Sequence, residues 1–186
     1  MNPIALAVDL GTQLDARDLK YAVGGSVASS MFGEPRSTLD IDIALKGSSE
    51  AMHALLSDVA TDFYVPQESA IRAIETNDSF NMLHNESGLK IDLFVLGKSL
   101  LDQRQIERRV RVALPEGELW VTSAEDIALR KLWWFDLSEQ SSERQWNDVV
   151  ALVRSMSLDL DDVTATADQV GLGELARRAI GEAEGQ

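Results

Sequence analysis

With 186 residues, 45% of them hydrophobic and 6% aromatic, the chain can bury one sizeable core, or one core plus a helical appendage. Its formal charge of −14 excludes broad nonspecific binding to nucleic acid, which needs extended cationic surface, although not a localised basic site. The absence of cysteine excludes disulfides and thiolate metal sites and fits a cytoplasmic protein; no apolar run approaches a bilayer span, and no basic region precedes an apolar one at the N-terminus, so no membrane is expected.

Residues 3–14, PIALAVDLGTQL, predict a short helix with Ile4, Val8 and Leu14 as apolar positions and Leu6 and Leu10 beside them. Asn2 caps it and Pro3 suits its first turn, while Gly11 weakens its last. A polar link over 15–18 leads to a strand, Leu19–Val23, that breaks into Gly24-Gly25-Ser26. The small-residue segment Ser26–Phe32 reads as a helix, punctuated by Gly33-Glu34-Pro35, and Leu39–Leu45 reads as a second strand. Period two puts Asp40 and Asp42 on one face of that strand and Leu39, Ile41 and Ile43 on the other. Two neighbouring carboxylates repel each other and contribute nothing to a core. They make sense around a divalent cation, which takes oxygen ligands, or more simply as charges on an exposed edge strand.

Ser49 predicts the cap of a helix over 50–60, with Met52, Leu55, Leu56 and Val59 as its inward stripe. Phe63–Val65 is a short strand stopped by Pro66, and 68–74 supplies one or two helical turns. Residues 80–84 and 89–96 form a hairpin about Asn85-Glu86-Ser87-Gly88; in its second strand Asp92 shares a face with Lys90 and Phe94. A helix over 99–108 follows, then a strand pair over 110–114 and 119–121. From Thr122 the pattern turns helical: a first helix buries Ile127, Leu129, Leu132, Trp133 and Phe135, and a second, 143–156, buries Trp146, Val149, Val150 and Val153. One or two short helices fill 157–180, broken near Gly171-Leu172-Gly173, before a tail that frays from Gly181. Asp159, Asp161 and Asp162 repeat the Asp-x-Asp pattern without a glycine turn and suit a helix N-terminus. His53 and His84 lack partners at ligand spacing.

Gly25-Ser26, thirteen residues, then Asp40-Ile41-Asp42 between apolar residues resembles the signature of the polymerase beta-like nucleotidyltransferase superfamily, and Leu89–Val95 resembles its later strand with a third carboxylate. The form GGS…PRSTLDIDI most resembles small bacterial and archaeal nucleotidyltransferases related to abortive-infection toxins. The likeness covers 21–95 and, more weakly, the tail to about Leu175. It implies an α+β fold: a mixed-sheet nucleotidyltransferase module over 1–121, then a helical C-terminal region over 122–186.

The resemblance also implies chemistry. Asp40, Asp42 and Asp92 would hold Mg²⁺ or Mn²⁺ for a two-metal transfer of a nucleoside monophosphate from a nucleoside triphosphate, ATP being the expected donor, to an acceptor hydroxyl. Asp92 would serve as ligand or proton acceptor. Gly24, Gly25 and Ser26 would cradle the triphosphate at a helix N-terminus, or form only a strand-to-helix turn. Arg36, near Thr38, would neutralise phosphate or pair with Glu34 or another acid. Lys131 matches a position where relatives carry a lysine facing the nucleotide, or is a surface lysine beside Arg130; Asp148 reads as structural support. Arg104, Arg108, Arg109 and Arg111 form either a solvated face or an acceptor surface for RNA phosphates. The expected acceptor is tRNA or a partner protein. The competing readings are transfer to a small molecule such as an antibiotic, and a non-catalytic nucleotide-binding or interaction module, perhaps of a toxin–antitoxin pair.

Overall fold

The structure is a computed structural model and describes residues 2–32, 40–155 and 158–185. It divides into two compact units, one of residues 1–27 and 36–122, the other of residues 28–35 and 123–186.

In the first unit the strands are β1 (Lys20–Val23), β2 (Asp40–Lys46), β3 (Phe63–Tyr64), β4 (Ser79–His84), β5 (Lys90–Val95), β6 (Val110–Leu114) and β7 (Gly117–Val121). Among the described residues they form one mixed sheet in the order β3-β4-β5-β2-β1-β7-β6. Antiparallel pairing joins β1 to β2, β4 to β5 and β6 to β7, whereas β2 runs parallel to β5 and β1 to β7. The two predicted hairpins are thus present, and the strands between them pair across long crossovers. Ile41, Ile43, Ile91, Leu93 and Val23 are fully buried on one face. On the other, Ala22 and Ala44 are register partners and pack with Leu96 and Ile106 in a small buried cluster. Alanines there let the helix α5 (Leu100–Glu107), capped by Ser99, lie close to β1 and β2.

The helix α1 (Pro3–Asp15) begins as the sequence predicts, with Asn2 accepting from the Ala5 amide at 2.7 Å. Its buried stripe differs from the expected one. Leu6, Ala7, Leu10, Gly11 and Leu14 are buried, whereas Ile4 and Val8 are only half-buried. Leu6, Leu10 and Leu14 are joined on the buried face by the small residues Ala7 and Gly11, and at Gly11 the reason is steric. A Cβ on Gly11 would overlap the Tyr21 hydroxyl and lie 2.8 Å from its ring carbon Cζ, and Tyr21 is 1% exposed.

Other boundaries shift for local reasons. Ser48 rather than Ser49 caps α3 (Ser49–Val59), accepting from the Ala51 amide at 3.1 Å, while the buried stripe Met52, Leu55, Leu56 and Val59 is as read. The helix α4 (Gln67–Thr76) is longer than one or two turns and ends at Asn77, whose left-handed φ of 53° closes it.

The second unit contains α6 (Ala124–Leu137), α7 (Glu143–Ser155), α8 (Leu160–Gln169) and α9 (Gly173–Glu184). The Ser123 hydroxyl accepts from the Asp126 amide at 3.2 Å and donates to the Asp126 carboxylate at 2.8 Å, closing the start of α6. Asp159 caps α8 through the Asp162 amide, so the second Asp-x-Asp run is a helix start, as its sequence suggests. On α7, Leu152 takes the buried position expected for Val153, which is half-buried. The expected fraying from Gly181 does not occur: α9 continues to Glu184, because Trp146 stacks near Phe135, lies under the Arg178 guanidinium at 4.2 Å and donates its indole N–H to Glu182 at 2.9 Å.

One prediction follows from α1. Glycine-to-alanine in a helix interior ordinarily gains up to about 1 kcal/mol. At Gly11 the overlap with buried Tyr21 should outweigh it, so Gly11→Ala should lower unfolding stability by about 1–2 kcal/mol in urea titrations.

Candidate active site

The candidate site is built on β2, β5 and the turn between β1 and α2 (Gly25–Phe32). The parallel pairing of β2 with β5 sets Asp42 opposite Asp92 and Asp40 opposite Lys90, all four on the face that carries Ala44. Adjacent strands lie about 4.8 Å apart, so residues in register on one face are within side-chain reach. Asp42 and Asp92 are half-buried and Asp40 is exposed. β4 extends the row, with Asn81 opposite Asp92.

The turn approaches these carboxylates from β1. The Gly24 N–H donates to the Asp42 carbonyl at 2.8 Å, continuing the β1–β2 ladder one residue past the strand. Gly25 follows with φ of +56° and starts α2. A Cβ there would overlap the Asp42 carboxylate, lying 2.5 Å from its Cγ and 2.9 Å from its Cβ. Gly25 is therefore glycine for two reasons, a left-handed backbone and a carboxylate that occupies the side chain's place. Near Gly24, buried Gln105 donates to the Thr122 hydroxyl at 3.2 Å, and a Cβ added at Gly24 would meet both groups at ordinary contact distance. Their sequence positions gave no signal of this, because β7 and α5 meet the turn only in three dimensions.

The sequence reading put Lys90 on the face of Asp92 but gave it no role. Its ammonium donates to Asp92 Oδ2 at 2.8 Å and lies 3.9 Å from Asp40 Oδ1. Hydrogen bonding to Asp92 holds the ammonium above its ordinary pKa, with the charges of Asp92, Asp40 and Asp42 adding to the effect and burial opposing it. Period two from Asp92 was the available signal. Among the described residues no three acidic or histidine side chains close on one point as a ready metal cage. The donor set nevertheless suits a hard cation: it is all carboxylate oxygen, and a cation, the Lys90 ammonium, already sits between two of its members.

The remaining sequence candidates are placed as follows. Arg36 and Thr38 lie outside the described residues. Ser26 follows Gly25 in the first turn of α2 and is half-buried. Lys131 is not a surface lysine: it is buried on α6 and donates to Asp148 Oδ2 of α7 at 2.8 Å, with side-chain exposures of 8% and 12%. The arginine cluster is not one open surface. Arg109 and Arg111 both stack on Trp120, at 4.5 and 5.4 Å, and Arg111 also pairs with Glu118.

The fold is that of nucleotidyltransferases. An antigenic nucleotidyltransferase-like protein from Paracoccidioides brasiliensis is similar at 16% identity and a TM-score of 0.53, covering 94% of this chain and 91% of that one. The lincomycin-bound lincosamide antibiotic adenylyltransferase LnuA is similar at 11% identity and a TM-score of 0.53, over 84% of this chain and 99% of its own. ANT(2″)-Ia in complex with adenylyl-2″-tobramycin is similar at 14% identity and a TM-score of 0.51, over 94% and 95%. At these identities the likeness establishes the fold. No curated protein matches the sequence. A family model described as nucleotidyl transferase AbiEii toxin, type IV TA system, matches residues 13–181, and the chain belongs to that family.

Two predictions test this geometry. Gly25→Ala should destabilise by at least about 1–2 kcal/mol through the left-handed φ alone, whereas Gly24→Ala, with nearest atoms at 3.5 and 3.7 Å, should stay within about 0.5 kcal/mol; urea titration separates them. For the buried pair, Lys131→Met should cost about 3 kcal/mol because it removes the ammonium beside a buried carboxylate, and Lys131→Met with Asp148→Leu should recover most of it. Equal losses in single and double variants would remove the pair's structural role.

Proposed function

We propose that the protein transfers a nucleoside monophosphate from a nucleoside triphosphate, with ATP as the donor, to a hydroxyl on RNA or protein. The observation that carries this reading is the glycine turn held against Asp42 by the Gly24 N–H and by the missing side chain of Gly25. That contact brings the amides at the start of α2 to the same end of the sheet as Asp40, Asp42 and Asp92.

In the proposed reaction, Gly24, Gly25 and Ser26 bind the triphosphate through main-chain N–H groups and the Ser26 hydroxyl, helped by the positive end of the α2 dipole. Arg36 adds charge to the phosphates. Asp40, Asp42 and Asp92 would hold Mg²⁺ or Mn²⁺, which when bound stabilises charge on the attacking and leaving oxygens. Asp92, half-buried and opposite Asp42, orients the acceptor hydroxyl and takes its proton. The acceptor oxygen forms a bond to the α-phosphorus as the bond to the β-phosphate oxygen breaks, and pyrophosphate leaves.

A macromolecular acceptor is favoured because the family is described as a toxin, which must act on something a cell needs. Transfer to a small molecule is the second reading, favoured by the fold likeness to proteins named for lincosamide and tobramycin adenylylation. No helix among the described residues is long and apolar enough to cross a membrane.

The test is direct. Calorimetry of a nucleoside triphosphate should show metal-strengthened binding to the native protein, and Asp42→Asn should abolish the metal's effect. Equal affinity with Mg²⁺ and with chelator would refute the metal-dependent reading. Labelled nucleotides incubated with RNA, cell extract or a panel of hydroxylated antibiotics should then label RNA or protein; labelling of a small molecule alone would replace the first acceptor class with the second.

A further inference from the structure

We propose that Lys90 is a tethered counter-cation of the acidic centre, whose ammonium holds the place between Asp40 and Asp92 that a divalent ion would otherwise take. This rests on the metal-dependent reading above and adds to it the residue that sets how tightly the centre takes metal. The parallel register puts Lys90 opposite Asp40, and the two-residue spacing on β5 returns it to the face of Asp92. Its Nζ is 2.8 Å from Asp92 Oδ2 and 3.9 Å from Asp40 Oδ1. One strand geometry therefore fixes both contacts.

The choice of lysine matters. A guanidinium would grip a carboxylate as a planar fork, whereas an ammonium is a point charge on a flexible stem. The Lys90 side chain is 42% exposed, so it can swing towards solvent without leaving a cavity. Charge gives the arrangement its meaning: a divalent ion entering between Asp40 and Asp92 meets the Lys90 ammonium in its way. Lys90 thus limits metal loading until a triphosphate brings further negative charge.

Mn²⁺ titration of the nucleotide-free chain, followed by calorimetry and by the electron paramagnetic resonance of free Mn²⁺, tests this on the native protein, Lys90→Met and Lys90→Arg. The expected result is weak binding of one ion by the native chain. Lys90→Met should bind Mn²⁺ about tenfold more tightly or take a second ion, and Lys90→Arg, whose guanidinium grips the carboxylates, should bind it more weakly than native. Without metal, Lys90→Met should melt at a lower temperature than native, because Asp40 and Asp92 lose their shared cation, and Mn²⁺ should raise its melting temperature more than it raises the native one. Unchanged or weaker Mn²⁺ binding by Lys90→Met overturns the proposal. Asp42→Asn separates the two levels. If it abolishes native Mn²⁺ binding while Lys90→Met changes nothing, the metal site stands and the role of Lys90 falls; if the native chain binds no Mn²⁺, both fall.

Discussion

The structure turns on the close approach of a two-glycine turn to the main chain and carboxylate of Asp42. The Gly24 N–H bonds to the Asp42 carbonyl, and Gly25 leaves empty the space that the Asp42 carboxylate fills. Such an approach is possible only because β1 and β2 are antiparallel neighbours with Val23 opposite Ile43. The register then makes the end of β1 meet the acidic start of β2. With β5 parallel on the other side, Asp92 joins the same end. A slip of one residue on β2 would turn Asp40 and Asp42 into the apolar face and expose Ile41 and Ile43, so core burial and site geometry enforce the same pairing.

The two faces of the sheet solve different problems. The face with Ile41, Ile43, Ile91 and Leu93 is fully buried and holds the fold together. The face with the carboxylates is divided along the strands. Its lower part uses Ala22 and Ala44 so that α5 can lie close, and α5 brings Gln105 to the Thr122 hydroxyl near Gly24. Its upper part keeps its charged groups half-buried or exposed, where the repulsion of like charges is moderated by solvent and by Lys90. The helix that stabilises the lower half also supports the turn at the upper half, which joins packing to the site through one buried glutamine.

What could be read in the sequence was what depends on local alternation. Period two placed Asp40 with Asp42 and put Lys90 and Asp92 on one face, the hairpins followed from their turns, and the stripe of α3 came out residue for residue. The stripe of α1 did so only in part: Leu6, Leu10 and Leu14 are buried, but Gly11 was read as a weak point of the helix and not as the residue whose missing side chain makes room for Tyr21. Parallel neighbours separated by dozens of residues, such as β2 and β5, leave no local mark, so the salt bridge from Lys90 to Asp40 was invisible although both residues were noticed. The arginine run looked cationic for a similar reason. Its partners Trp120 and Glu118 lie on the opposing strand, and only the hairpin pairing of Arg111 with Trp120 brings them together.

That last point bears on how so acidic a chain would bind a polyanion. Several of its cations are already engaged: Lys90 with Asp92 and Asp40, Lys131 with Asp148, Arg111 with Glu118, Arg177 with Asp168, with Arg109 over Trp120 and Arg178 over Trp146. Drawing any of them onto a triphosphate would break a contact that holds two elements together, and for the buried Lys131–Asp148 pair the cost would be several kcal/mol. Main-chain amides carry no such obligation. At the start of a helix they point outward in parallel and bear partial positive charge whatever the side chains do. In the proposed reaction a glycine turn and oxygen ligands for a divalent ion would therefore carry much of the hold on phosphate, and the sheet register sets both at the same end of β2.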